Sequence, residues 1–211
     1  MPSAALPAIA SALAVLGAGG AVLLLHDLGP QSAHMAMHIA LMNVAAPLCA
    51  ILVARSPSRA GHATTLWAAA AVQIVLLWMW HAPPLQRAAM DSHGLQAVMH
   101  GTLFLAALAF WSSLLRLAPA SRWQAIPALL VTGKLACLLS ALLIFAPRLL
   151  FEMPAHHGVV SLSDQQLAGL LMITACPLSY IVAGVVFAAQ TIGNLGRTAG
   201  AAPHRTLPAA R

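Results

Sequence analysis

Long apolar segments separated by short loops are the feature that most constrains this chain. Runs of about 20 apolar residues, enough to cross a hydrocarbon core of ~30 Å, lie at 4–25, 34–54, 63–82, 94–117, 124–146 and 165–190. Because backbone N–H and C=O groups in lipid must be paired within their own segment, each run is predicted to be a helix. The sequence therefore predicts an all-α fold, a polytopic transmembrane helix bundle with about six spans.

The composition supports a membrane protein without a separate soluble domain. The chain is 61% hydrophobic and 7% charged, whereas about a quarter of the residues in a soluble domain are charged. Residues 1–195 are predicted to form a single transmembrane domain, and residues 196–211 a disordered cytoplasmic tail. Segment 4–25 lacks the basic start of a signal peptide and is interpreted as a retained helix.

The basic residues predict the orientation of the bundle. Two loops and the C-terminal tail, all on one side of the predicted bundle, carry Arg55, Arg59, Arg116, Arg122, Arg197, Arg205 and Arg211, and the alternate loops carry only Arg87 and Arg148. The positive-inside rule then places both termini in the cytoplasm. The net charge of +6 is interpreted as this topology signal, and no nucleic-acid partner is expected. Lys134 lies within the fifth segment, where it is interpreted as a snorkelling or paired lysine.

The histidines collect on the other side, the predicted outer face. Eight of the ten map to outer loops or outer helix ends: His26, His34, His38, His81, His93, His100, His156 and His157. His34, His38 and Met42 follow each other at i, i+4 and i+8, so they lie on one face of the second helix. His81 closes the third helix, and His100 lies about two turns into the fourth. Ionisable groups within a span usually face the bundle interior or a cavity.

This set of side chains suits a transition metal. Imidazole binds copper, zinc and iron, and thioether binds soft ions such as Cu(I). The predicted metal-binding residues, opening to the outer face, are His34, His38, His81, His100 and Met42. A metal site and a plain hydrogen-bonded network fit the spacing about equally well.

The start of the sixth helix offers residues that could hydrogen-bond to the metal-binding histidines. SLSDQQLAG matches a capping box with Ser163 as N-cap and Gln166 at N3. Asp164 and Gln165 are then expected beside the histidines, where a carboxylate or amide can orient an imidazole that binds metal. As ordinary residues of a helix start they need no further role, and both interpretations remain open.

Five stretches of the chain resemble a known family in order and spacing: HMAMHIALMNVAAPL, LWMWHAPPLQRAAM, MHGTLFLAALAFW, FAPRLL and DQQLAGLLM. From about residue 30 to 190 the chain is similar to the CtaG-type cytochrome c oxidase assembly factor family of bacterial membranes. The resemblance implies a multi-pass protein of the bacterial inner (plasma) membrane that helps to mature a haem–copper oxidase by handling copper. Its expected partners are the oxidase catalytic subunit or other assembly factors. The matching family positions are His34, His38, His81, His100, Asp164 and Gln165.

Two other classes of function remain open. Histidines on separate helices can ligate haem iron, which would make this a haem-b-binding electron-transfer protein. A metal-free scaffold or transporter could instead use the histidines as a polar network. The sequence has no Gly-rich phosphate loop, no HExxH motif and no paired intramembrane carboxylates, so an enzyme is not expected. Cys49, Cys137 and Cys176 are isolated and are interpreted as packing residues.

Overall fold

The computed structural model describes residues 28–54, 61–151 and 161–200, with side chains as far as 193. Within these ranges, five helices are long and apolar enough to cross a membrane: Pro30–Ala54, Ala63–Trp80, His93–Leu115, Pro119–Phe145 and Leu162–Gly193. They agree with the predicted spans that begin at 34, 63, 94, 124 and 165. The described residues contain no β-strand, so the all-α fold is confirmed. The predicted span 4–25 lies outside the described residues.

We number the α-helices in chain order. They are α1 (Pro30–Ala54), α2 (Ala63–Trp80), α3 (Pro83–Asp91), α4 (His93–Leu115), α5 (Ala125–Phe145) and α6 (Leu162–Gly200). A 3₁₀ turn, Pro119–Gln124, leads into α5. Helix α6 packs against α5 and α1, while α4 packs against α1 and α2. Helix α6 is described as far as Gly200.

Helix α1 contains a π-helical turn at Ala40–Ala45, two residues before Pro47. The backbone N–H of Ala46 bonds to the carbonyl of Leu41, five residues back. In the same i→i+5 pattern the carbonyl of Met42 would pair with residue 47, but Pro47 has no N–H. The indole Nε1 of Trp111 on α4 donates to this carbonyl instead, at 3.2 Å. This hydrogen bond holds α1 against α4 about one turn after His38.

The end of α2 follows from the prolines after it. Pro83 occupies the first turn of α3, where a missing N–H costs nothing. The preceding residues turn the chain, with His81 as the C-cap of α2 at φ −90° and ψ 4°. The short helix α3, which buries Gln86, Ala89 and Met90, lies in a stretch that we predicted to be a loop.

Helices α5 and α6 approach each other closely at Gly169. A Cβ built there would lie 2.7 Å from Ile144 Cγ1 and 2.9 Å from the Ser140 carbonyl oxygen. Small residues allow this kind of backbone approach in membrane bundles. Helix α6 also packs against α1, the helix that carries His34 and His38. The contact at Gly169 therefore helps to position the start of α6 beside α1.

Candidate metal centre

His38 is the centre of a cluster of four imidazole rings. Its ring centroid lies 4.4 Å from that of His34, 5.0 Å from that of His100 and 5.4 Å from that of His81. His34, His38 and His100 each offer a ring nitrogen within 4.8 Å of the other two. Helices α1 and α4 therefore bring three predicted ligands together, and the end of α2 adds His81 beside them.

Two rings of the cluster have their orientation and tautomer set by their own helices. The Nδ1 of His81 is 2.7 Å from the carbonyl oxygen of Leu77, one turn earlier, so Nδ1 carries the proton. His100 makes the equivalent backbone hydrogen bond to Gln96. Both Nε2 atoms are buried and have no hydrogen-bond partner among the described residues. A neutral imidazole held in this way presents the Nε2 lone pair, the arrangement typical of a metal-binding histidine.

The pair on α1 is arranged differently. The Nε2 atoms of His34 and His38 are 2.9 Å apart, so one donates to the other in the absence of metal. The Nδ1 of His38 is buried and has no hydrogen-bond partner in the described part of the chain. These contacts fit a ligand pair that shares a proton until a metal ion replaces it, and they fit a metal-free network as well.

An open pocket connects the cluster to the surface at its end of the bundle. It has a volume of about 350 Å³, and its walls include His34, Met37, Met90, Gln96 and His100. Met37 is exposed at the surface and Met90 is buried. Two thioethers therefore line the route by which a soft ion would reach the imidazoles.

Met42 lies on the opposite side of His38. It is buried and lines, together with His38, an internal cavity of about 20 Å³. The other walls of this cavity include Asn43, Gln73, Thr132, Met172, Cys176 and Tyr180. The Oε1 of Gln73 and the Oγ1 of Thr132 are buried without a hydrogen-bond partner among the described residues. Space of this size accommodates about one water molecule. Met42 is thus close to His38 but lies on the interior side of the cluster.

The structure gives Asp164 a different role from the predicted one beside the imidazoles. Its carboxylate accepts hydrogen bonds from the backbone N–H groups of Gln31 and Ser32, at 2.9 and 3.0 Å, and from Ser32 Oγ at 2.5 Å. The N-cap of α1 is Gly29, which has no side chain to cap the helix. Asp164 on α6 therefore caps α1 from a distant part of the sequence, and it positions His34 and His38 through their helix.

Gln165 also has partners other than an imidazole. Its Oε1 accepts from the backbone N–H of Leu150 at 2.7 Å, and its Nε2 donates to the carbonyls of Leu143 and Arg148 at 3.3 Å. These bonds fasten the start of α6 to the end of α5. The predicted orienting role is corrected accordingly, because both polar atoms of the side chain are already used.

The helix-start prediction for α6 was shifted by two residues. Ser161, rather than Ser163, accepts the first bonds of the helix: its Oγ takes the N–H of Asp164 at 3.1 Å, and its carbonyl takes the N–H of Gln165 at 3.0 Å. Asp164 therefore occupies the N3 position that we assigned to Gln166. The SxxD spacing was as good a signal as the SxxQ spacing.

Sequence reasoning missed the polar side chains in the middle of the bundle. Asn43 accepts from Ser179 Oγ at 2.9 Å and is 3.5 Å from Cys176 Sγ. Gln73 Nε2 donates to the hydroxyl of Tyr180 at 2.7 Å. These bonds tie α1 and α2 to α6 below the histidines. An amide within an apolar span is itself a signal of such a contact.

The fold and the cluster together define a class: a multi-pass helical membrane protein with a buried group of histidines near one end of its bundle. A family model described as cytochrome c oxidase caa3 assembly factor matches residues 6–193. The chain belongs to this family. No curated protein and no solved structure matches the chain. Membership makes the protein an assembly factor for cytochrome c oxidase, which implies a non-catalytic role in association with oxidase components.

Proposed function

We propose that this assembly factor binds one copper ion at the histidine cluster and passes it to a haem–copper oxidase in the bacterial inner (plasma) membrane. The proposed ligands are His34, His38, His81 and His100, with Met42 as a neighbouring soft donor. The receiver is the oxidase catalytic subunit or another assembly factor. Copper is cargo in this scheme, and the protein catalyses no reaction.

The observation that carries the proposal is the pair of Nε2 atoms on His81 and His100. Each is buried without a hydrogen-bond partner among the described residues, while the backbone contact of each ring fixes its lone pair on Nε2. A buried nitrogen without a partner costs about 1–3 kcal/mol. A metal ion removes this cost for both rings at once.

Copper suits the donors better than other common metals do. The cluster supplies neutral imidazoles, which bind copper, zinc and iron, and the adjoining walls supply thioethers, which select Cu(I). Met37 and Met90 lie on the entry side, and Met42 and Met172 lie on the interior side. The family resemblance described above implies copper as well, so the donors and the resemblance support the same cargo.

The experiment is a Cu(I) titration of the purified full-length protein against a chromophoric chelator, with copper and iron per chain measured in parallel. Each of His38→Ala and His100→Ala should weaken copper binding by at least about 100-fold, more than the loss of an outer-sphere partner. His93→Ala is the matched control, because His93 is an exposed residue at the start of α4, the helix that carries His100.

Maturation of the oxidase is then measured in cells that carry the same variants. Parallel losses of bound copper and of copper in the oxidase support the proposal. Full maturation with a variant that binds no copper would contradict it and leave a metal-free scaffold. Iron with a Soret absorption band would instead indicate haem, which the paired histidines could also ligate.

A further inference from the structure

A groove between α5 and α6 lies away from the histidines and is not used by the proposed copper chemistry. It has a volume of about 440 Å³, and its walls are almost entirely apolar. The walls also include three residues with polar or ionisable groups, Lys134 and Cys137 on α5 and Tyr180 on α6. Lys134 is exposed, so its side chain faces outward from the bundle rather than into the core.

Lys134 has an unusual depth for a charged residue. It is the tenth residue of Ala125–Phe145, which places it about 14 Å from the start of that helix at 1.5 Å per residue. The described residues give it neither an ion pair nor a hydrogen bond. A charged side chain near the middle of a span is costly unless it is paired or reaches water. The Lys134 ammonium therefore needs either a route to water or an acidic partner.

The shape of the groove suits a helix. Gly133 and Gly184 add no side chains to its walls, and a Cβ at either position would make only ordinary contacts of 3.7 Å or more. Ala188 continues this strip of small residues along α6. Small residues let a second helix backbone approach closely in lipid, where packing and interhelical hydrogen bonds drive association.

Two obvious occupants of the groove offer no acidic partner for Lys134. Segment 4–25 of this chain contains no charged residue, so it offers no partner for an ammonium group. A second copy also fails, because the four acidic residues of the sequence, Asp27, Asp91, Glu152 and Asp164, all lie at or beyond the ends of the spans. A carboxylate at the depth of Lys134 must come from a different protein.

We propose that the α5–α6 groove is a docking site for one transmembrane helix of a different membrane protein, which carries an Asp or Glu at the depth of Lys134. The carboxylate pairs with the Lys134 ammonium, and the apolar face of the incoming helix fills the groove over Gly133 and Gly184. This contact attaches the assembly factor to its partner independently of metal binding at the histidines.

The test uses the full-length protein in lipid vesicles and two synthetic transmembrane peptides at pH 8. Both are 25-residue Leu/Ala helices with a photo-crosslinking residue one turn from the centre. One has a central Glu, and its matched control has a central Gln. The Glu peptide should bind about 3- to 20-fold more tightly, the range expected for one polar contact between helices in lipid. Its crosslinks should map to α5 and α6.

Variants of Lys134 separate the charge from the shape of the groove. Lys134→Arg should keep the preference for Glu, and Lys134→Met should remove it. Equal binding of the two peptides, or a preference that persists in Lys134→Met, would overturn the proposal. A photo-crosslinker placed at Val15 that reacts with α5 or α6 in the protein alone would also overturn it, since the groove would then be filled by the chain itself.

A cellular measurement distinguishes this contact from the copper site. Lys134→Met should lower the amount of mature oxidase while copper bound per chain stays at the wild-type value, and Lys134→Arg should restore maturation. Normal maturation with Lys134→Met would count against docking here. Loss of copper binding in this variant would also count against it, since no histidine of the cluster lines the groove.

Discussion

Replacing Asp164 tests whether α6 holds the histidine-bearing helix in place. The Asp164 carboxylate accepts from two backbone N–H groups at the start of α1, those of Gln31 and Ser32. Both residues are 0% exposed, so water cannot replace the lost acceptor. The Ser32 hydroxyl retains the Asp164 carbonyl as a second acceptor at 3.1 Å. Only the two backbone N–H groups of Gln31 and Ser32 would therefore lose their acceptor.

The expected loss follows from these two donors. A buried donor left without an acceptor costs about 1–3 kcal/mol, so Asp164→Ala should lower the free energy of unfolding by about 2–6 kcal/mol. Asp164→Asn keeps one acceptor oxygen but loses the charge that favours a helix N-terminus, and it should cost about 1–3 kcal/mol. Because His34 and His38 follow within two turns of Ser32, both variants should also weaken copper binding.

The measurement is unfolding by SDS titration in mild detergent, followed by tryptophan fluorescence. Gln166→Ala is the control, because Gln166 lies on the same turn of α6 and is only partly buried. If Asp164→Ala were as stable as Gln166→Ala, the cap would contribute nothing, and the positioning of α1 by α6 would be refuted.

Two further predictions use the same unfolding measurement. Trp111→Phe removes the donor to the Met42 carbonyl that Pro47 leaves unpaired, and it should lower the free energy of unfolding by about 1–3 kcal/mol. The control is Trp123→Phe, at a residue that is 63% exposed; an equal loss of stability in the two variants would show that the carbonyl needs no partner. Gly169→Ala should cost about 1–3 kcal/mol, because the Ser140 carbonyl and Ile144 leave no room for a Cβ, whereas Gly101→Ala, with nothing within 4 Å, should be neutral or stabilising. Equal stability of the two alanine variants would contradict the close α5–α6 contact.

The spans could be predicted from the sequence because hydrocarbon thickness and backbone pairing leave few alternatives for an apolar run. The grouping of His34, His38 and His100 was also predictable, since a costly polar side chain in a span faces the interior. The π-turn could not be predicted in this way. Nor could the bond from Trp111 to the Met42 carbonyl, because the two residues are 69 positions apart in the sequence and no local pattern in α1 encodes that contact.

The partners of Asp164 and Gln165 could not be predicted for a related reason. Periodicity placed both residues at the correct end of the bundle, near the histidines, but it could not say which buried group each would satisfy. The N-terminus of α1 begins Gly29–Pro30 and has no side-chain cap of its own, so its N–H groups needed an acceptor from elsewhere. An uncapped helix start in the sequence indicates that an acceptor must come from elsewhere, and the fold identifies it as Asp164.

Buried hydrogen bonds from other helices hold α1 in place on both sides of its two histidines. Its start is capped by Asp164, and its middle is fixed by Trp111 at Met42 and by Ser179 at Asn43. His34 and His38 lie between these fixed points, so the backbone that carries both rings is held on either side. His81 and His100 are oriented by backbone bonds within their own helices. All four rings are therefore positioned by the protein itself, which is what the proposed copper site requires.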